Sequence, residues 1–333
     1  MENKLLHTPE GVRDIYGEEL QHKLKLQLKL LKVLHAHSYV DIQTPTFEFF
    51  DVFSSNIGTT PSNELYKFFD KDGNTLVLRP DFTPSIARCV AKYHIDEENP
   101  IRLCYCGNTF INTSDLQGRL KESTQIGAEL INDDSADADA EIIMMIAESL
   151  RAVKLDDFQI TIGNLEYFKG LCSEFGIEEK DELSLREMIS NKNYFGAKAI
   201  LDSLDVSKEC KHNILSISDM FGSIDTVKAA RHLVRNRRSL NALSRLQDIY
   251  NILDKAGLGD HISFDLSVLS KYHYYTGIVF SAYTYGLGEA IVKGGRYDKL
   301  LSEFGKDSPA IGFAIVIDSL LNLLYKREPK KIQ

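Results

Sequence analysis

The chain has 333 residues, 43% of them hydrophobic and 26% charged, with a formal net charge of −9. That length suits one large α/β domain or a main domain with a smaller inserted unit, and we expect the second. The acidic balance excludes a general attraction to nucleic acid or to an anionic membrane surface. No apolar run of signal or membrane-span length is present, which predicts a cytoplasmic protein.

Turn chemistry at Thr8-Pro9-Glu10-Gly11 leads into a helix over 18–37, whose leucines, among them Leu26, Leu30 and Leu34, recur at helical spacing. The alternating stretch Tyr39-Val40-Asp41-Ile42-Gln43-Thr44-Pro45 reads as a short strand ended by proline. A hairpin follows over 68–79 around the turn Lys71-Asp72-Gly73-Asn74, where Asp-Gly supplies the required backbone. Next come a helix over 84–93, strands over 101–110 and 124–131 joined by a polar loop at 112–121, a helix over 136–153 and a strand over 158–162. From 166 to 256 the pattern changes to helices alone, as at 191–204 and 239–253. A compact helical insertion between strands of one sheet is the simplest account. Strand character returns at 262–269, 277–285 and 290–293, a helix over 317–325 closes the core, and 326–333 is a tail expected to fray.

Two features carry little chemistry by themselves. Cys104 and Cys106, two of five cysteines, fall on one face of a strand and read as buried residues, because no second Cys/His pair stands at zinc spacing. Arg231, Arg235, Arg237, Arg238 and Arg245 form a basic cluster that reads as a solvated helix face or a docking patch.

Six ordered segments carry more. They are the strand at 39–45, Leu78-Arg79-Pro80-Asp81-Phe82-Thr83, the stretch from Gly118 to Glu129, Tyr274-Tyr275-Thr276-Gly277, Gly294-Gly295-Arg296-Tyr297-Asp298, and Pro309-Ala310-Ile311-Gly312-Phe313-Ala314. Together they resemble the catalytic core of histidyl-tRNA synthetase, over nearly the whole chain. The resemblance implies an α+β fold: a class II aminoacyl-tRNA synthetase-like antiparallel sheet flanked by helices, with an all-helical insertion. The core would span 1–165 and 257–325 and the insertion 166–256, with no anticodon-binding domain.

Three positions depart from the synthetase pattern. Where the synthetase carries arginines that hold ATP phosphates, this chain has Ile111, Ser270 and Ser319. Preorganised charge of this kind is usually the largest catalytic term, and each lost group costs about 10² to 10³ in rate. A synthetase-like core without these arginines resembles the regulatory subunit of ATP phosphoribosyltransferase, which pairs with a short catalytic subunit in the first step of histidine biosynthesis. That resemblance implies no catalytic residue, no cofactor and no metal, with L-histidine as ligand. It also implies the short catalytic subunit as partner, a homodimer built through 39–48 as the unit, and a hetero-octamer as the assembly.

By the same resemblance, Asp81, Thr83 and Gln125 would take the ligand's α-amino group, with Phe82 beside them. Glu129 would accept from a ring N–H, and Tyr274 and Tyr275 would wall the imidazole. Gly277, Gly294 and Gly295 would allow close approach at the pocket floor, Arg296 would brace it, and Arg119 would serve the carboxylate. Taken singly these residues have plainer roles: Asp81 can cap the helix that follows, Glu129 can be an ion-pair partner, and His273 reads as a structural donor. Two other functions stay open at this point. One is a residual histidine-activating or histidine-transferring enzyme with Lys271 or Lys293 as replacement cation. The other is a tRNA-binding accessory protein that uses the arginine cluster.

Overall fold

A computed structural model of the chain describes residues 4–54, 60–113, 120–269 and 274–327. The leucine-rich segment forms α1 (Gly17–Ala36), which buries Leu26, Leu30 and Leu34 and leaves Leu24 and Leu28 exposed. The strand expected over 39–45 contracts to β1 (Val40–Asp41). Its continuation cannot form a ladder, because the Arg79 guanidinium takes the carbonyls of Thr44 and Pro45.

A small sheet follows, made of β2 (Phe47–Phe49), β3 (Lys67–Phe69) and β4 (Thr75–Leu78) in the order β2-β4-β3. Asp70 fixes the turn into β4 by accepting from the amides of Asp72 and Asn74, both at 2.9 Å. Then come α2 (Thr83–Tyr93), β5 (Ile101–Phe110) and β6 (Glu122–Ile131). The Ser135 side chain caps α3 (Ala136–Ala152) by accepting from the Ala138 amide. β7 (Phe158–Asn164) leads into α4 (Leu165–Glu174), α5 (Glu179–Ser190), α6 (Tyr194–Ser203) and α7 (Lys208–Ser216). After the short β8 (Phe221–Gly222) come α8 (Ile224–Ala230) and α9 (Arg237–Lys255). The chain returns through β9 (Ile262–Asp265), β10 (Ile278–Thr284), β11 (Val292–Arg296) and β12 (Ala310–Val316) to α10 (Ile317–Arg327).

The main sheet has nine strands among the described residues, ordered β1-β5-β6-β12-β11-β10-β7-β9-β8. From β5 to β7 every pairing is antiparallel, and only β1 with β5 and β7 with β9 run parallel. The stretch read as helices alone thus also supplies the edge strand β8, which pairs with β9. β12 is central, yet its sequence shows no alternation, since a strand covered on both faces reads as a continuous apolar run.

One ion-pair triad ties the layers together. Asp139 on α3 is fully buried, with Arg296 of β11 at 2.6 Å on one oxygen and Arg245 of α9 at 2.6 Å on the other. Arg245 therefore leaves the basic cluster for the interior. Arg238 is likewise engaged, by Glu166. No helix among the described residues is long and apolar enough to cross a membrane.

Candidate functional site

The register of three neighbouring strands builds the site. Glu129 of β6, Gly312 of β12 and Gly295 of β11 lie in one row across the sheet. Gly127, Ala314 and Lys293 form the next row, and Gln125 with Val316 the one beyond. Because side chains alternate between faces, all three rows point the same way. Glu129, Gly312, Ala314, Lys293, Gln125 and Val316 from these rows line a cavity of about 540 Å³ together with Asp81 and Thr83 at the start of α2, Tyr274, Tyr275 and Tyr297, and Ser319 and Asn322 of α10.

Gly312 has to be glycine: a Cβ there would overlap the Glu129 carboxylate. Gly127 likewise leaves room for the Tyr105 hydroxyl, which lines the cavity from β5.

Glu129 is the chemical centre. It is 1% exposed, and its two oxygens accept from Thr83 Oγ1 at 2.9 Å and from the Tyr297 hydroxyl at 2.5 Å. Burial pushes its carboxyl up to about 8, against the two hydrogen bonds, and the nearby Asp81 charge adds to the rise. Asp81 accepts from the Thr83 amide at 3.2 Å and from the Tyr274 hydroxyl at 3.5 Å, so it caps α2 and faces the cavity at once. Gln125 lines the wall, and its side-chain amide has no hydrogen-bond partner among the described residues.

The raised Glu129 carboxyl has a consequence for stability. The folded chain keeps its proton up to about pH 8, whereas the unfolded chain releases it near 4.5. The contribution is therefore full below the unfolded value and is lost as pH rises through the folded one. Glu129→Gln is expected to flatten this fall, measured as the urea midpoint of both proteins between about pH 5 and about pH 9. Equal slopes in the two proteins would contradict it.

The other sequence-derived residues fall into distinct places. Phe82 stands behind the wall rather than in the cavity, with its ring stacked on Tyr105 at 4.3 Å and under the Arg79 guanidinium at 4.1 Å. Gly295 makes room for the Tyr275 ring, Gly294 for the Phe280 ring, and Gly277 for the Arg296 side chain. Arg296 braces this floor through Asp139 and through Asp298 at 3.1 Å. Ile111 and Ser319 both line the cavity, while Arg119, Ser270, Lys271 and His273 lie outside the described residues. Tyr105 and Tyr297 were missed; one lies on β5 and the other directly follows β11, and sequence alone assigns such aromatic residues to packing.

At the end of the cavity near Ser319, Asp318 accepts from the Thr124 amide at 2.6 Å and pairs with Lys23 at 2.7 Å. A closed ion pair rather than a free cation thus stands beside Ser319. Of the two cysteines expected to be buried, only Cys104 is; Cys106 is exposed, beyond the short edge strand β1 that covers Cys104. Cys104, His35 and Asp41 are the group among the described residues with metal-ligand donor atoms within 4.8 Å of one another. None of the three lines the cavity.

An antiparallel sheet flanked by helices, with a partly polar cavity over its central strands, defines a class II synthetase-like core. A family model for histidyl-tRNA synthetase matches residues 11–320. ATP phosphoribosyltransferase regulatory subunits are similar over most of the chain. The one from Ruminiclostridium cellulolyticum is 40% identical, covering 96% of this chain and 77% of its own length. That from Bacillus cereus is 34% identical over 96% and 76%. The crystal structure of an ATP phosphoribosyltransferase regulatory subunit/histidyl-tRNA synthetase from Bacillus halodurans superposes with a TM-score of 0.90 at 33% identity, covering 96% of this chain and 83% of that one. A histidine–tRNA ligase subunit from Alicyclobacillus acidocaldarius gives 0.82 at 26% identity, over 97% and 98%. The chain belongs to the histidyl-tRNA synthetase-like family of ATP phosphoribosyltransferase regulatory subunits.

Proposed function

We propose that the chain is a non-catalytic regulatory subunit of ATP phosphoribosyltransferase, and that its cavity binds free L-histidine as the feedback signal without activating it. The observation that carries this reading is the pairing of polar groups for an ammonium and an imidazole with an outer end whose described lining residues include no arginine. Asp81 and Gln125 offer acceptors to an ammonium, and Glu129 offers a buried partner to an imidazole. By the resemblance to the synthetase, Ile111 and Ser319 stand where adenylate formation would need arginines, with the Lys23–Asp318 pair next to Ser319.

The catalytic partner would be the short-form ATP phosphoribosyltransferase subunit, which must bring the phosphate-binding groups itself. A homodimer as building block agrees with the exposed apolar side chains of Val40, Phe47 and Phe49, at 65%, 52% and 57% exposure. A hetero-octamer would follow from closing such dimers around the partner.

Calorimetry with L-histidine, joined to a histidine-dependent assay of pyrophosphate exchange into ATP, tests the reading. Binding with exchange at background is expected. Exchange well above background would establish an activating enzyme instead.

A further inference from the structure

We propose that Lys293 reads the α-carboxylate of the bound amino acid, so that the cavity selects the intact zwitterion over ligands whose carboxylate is absent or masked. This rests on the histidine reading of the cavity and adds the group that its geometry lacks.

A free amino acid carries one negative charge into the site, and the acidic side chains there cannot meet it. The charged residues that line the cavity are Asp81, Glu129, Glu289, Asp318 and Lys293, which makes Lys293 the one cation among the described lining residues. Asp318 is already matched by Lys23. Lys293 has neither an ion-pair nor a hydrogen-bond partner among the described residues. In contrast, the cations Lys23, Arg88, Arg245 and Arg296 each hold a carboxylate within 2.6 to 2.8 Å.

Position supports the role. Lys293 pairs with Ala314, which pairs with Gly127, so its Cα lies two residues along the sheet from the Glu129–Gly312–Gly295 row. At about 3.4 Å per residue and about 4.8 Å per strand, that is about 7 Å along the sheet and about 10 Å across it from the Glu129 Cα, a span bridged by the amino acid together with the extended lysine side chain. The neighbour of Lys293 in its row, Ala314, presents only a methyl group beside the lysine. With the ring at Glu129 and the ammonium at Asp81, the carboxylate faces Lys293. Lys293 is an exposed residue, so its stem can lie along the wall while the head reaches inward. The sequence reading gave this role to Arg119, whose residue type suits it equally but which lies outside the described residues.

Calorimetry of the full chain with L-histidine and with L-histidinamide, for wild type, Lys293→Met and Lys293→Arg, tests the proposal. L-histidine is expected to bind the wild type at least about tenfold more tightly than the amide, because a charge-assisted hydrogen bond is lost with the carboxylate. Lys293→Met should weaken L-histidine about tenfold and leave the amide unchanged, and Lys293→Arg should keep the preference. Thermal unfolding checks that the variants, altered at an exposed position, remain folded. Wild-type affinity for L-histidine in Lys293→Met, or equal loss for both ligands, would overturn the carboxylate assignment alone. Failure of the wild type to bind L-histidine at all would overturn the histidine reading and this proposal with it.

Discussion

Replacing Gly312 by alanine is expected to abolish measurable L-histidine binding in a chain that still folds. Gly312 sits between Glu129 and Gly295 in the central row, and an added Cβ would overlap the Glu129 carboxylate and press on the Ala128 carbonyl. The carboxylate has little room to retreat, being held by Thr83 and Tyr297 on its two oxygens. Moving it would break hydrogen bonds and displace the ring-binding group together. Overpacking of this kind costs about 1–3 kcal/mol of stability. The affinity loss should exceed about a hundredfold, equivalent to about 2.8 kcal/mol, since the acceptor and the cavity shape are disturbed at once. Calorimetry and thermal unfolding read the two effects separately. Wild-type affinity in folded Gly312→Ala would mean that the ligand does not use this row.

The largest effect on stability alone is expected from Arg296→Met, at about 3 to 5 kcal/mol. Asp139 is fully buried, and removing Arg296 leaves that carboxylate with one partner, Arg245, whose side chain is 27% exposed. The same change frees the Asp133 carbonyl and Asp298, which Arg296 also holds. An exposed pair makes the contrast: Lys228→Ala, which removes the partner of Asp225 at 77% exposure, should cost no more than about 1 kcal/mol. Urea unfolding distinguishes them. Equal losses for the two variants would show that the triad is not the link between α3, β11 and α9.

Much of this architecture is legible in the chain itself. α1 follows from its leucine spacing, β5 and α3 from periodicity, and the β3–β4 turn from Asp-Gly. β12 was visible only as a motif, because continuous burial erases the alternation that marks a strand. The contraction of β1 depends on Arg79, 38 residues later than Asp41 in the chain, reaching back to carbonyls that no local pattern reveals.

At the site, the motifs found the residues but could not separate those that line the cavity from those that shape its walls. Phe82 and Gly294 stand next to Asp81 and Lys293 in sequence, yet face Tyr105 and Phe280. Helix and strand parity decides this, and a one-residue difference reverses it. Asp318 shows the same limit: Ser319 marked a missing arginine, but its neighbour's pairing with Lys23 across 295 positions emerges only in the fold.

Feedback through this cavity is the central claim. Its most direct test is phosphoribosyl transfer by the short catalytic subunit assembled with this chain, titrated with L-histidine, for the wild type and Asp81→Ala. In the proposed site Asp81 would supply the charge for the ammonium; it is half-buried, so its removal should spare folding and assembly. The wild-type complex is expected to be active and inhibited by L-histidine. The Asp81→Ala complex should be equally active without inhibitor and should need roughly tenfold or more L-histidine for the same inhibition, the loss of one charge-assisted contact. Inhibition that is unchanged in the Asp81→Ala complex would contradict the account, placing the feedback site elsewhere in the assembly.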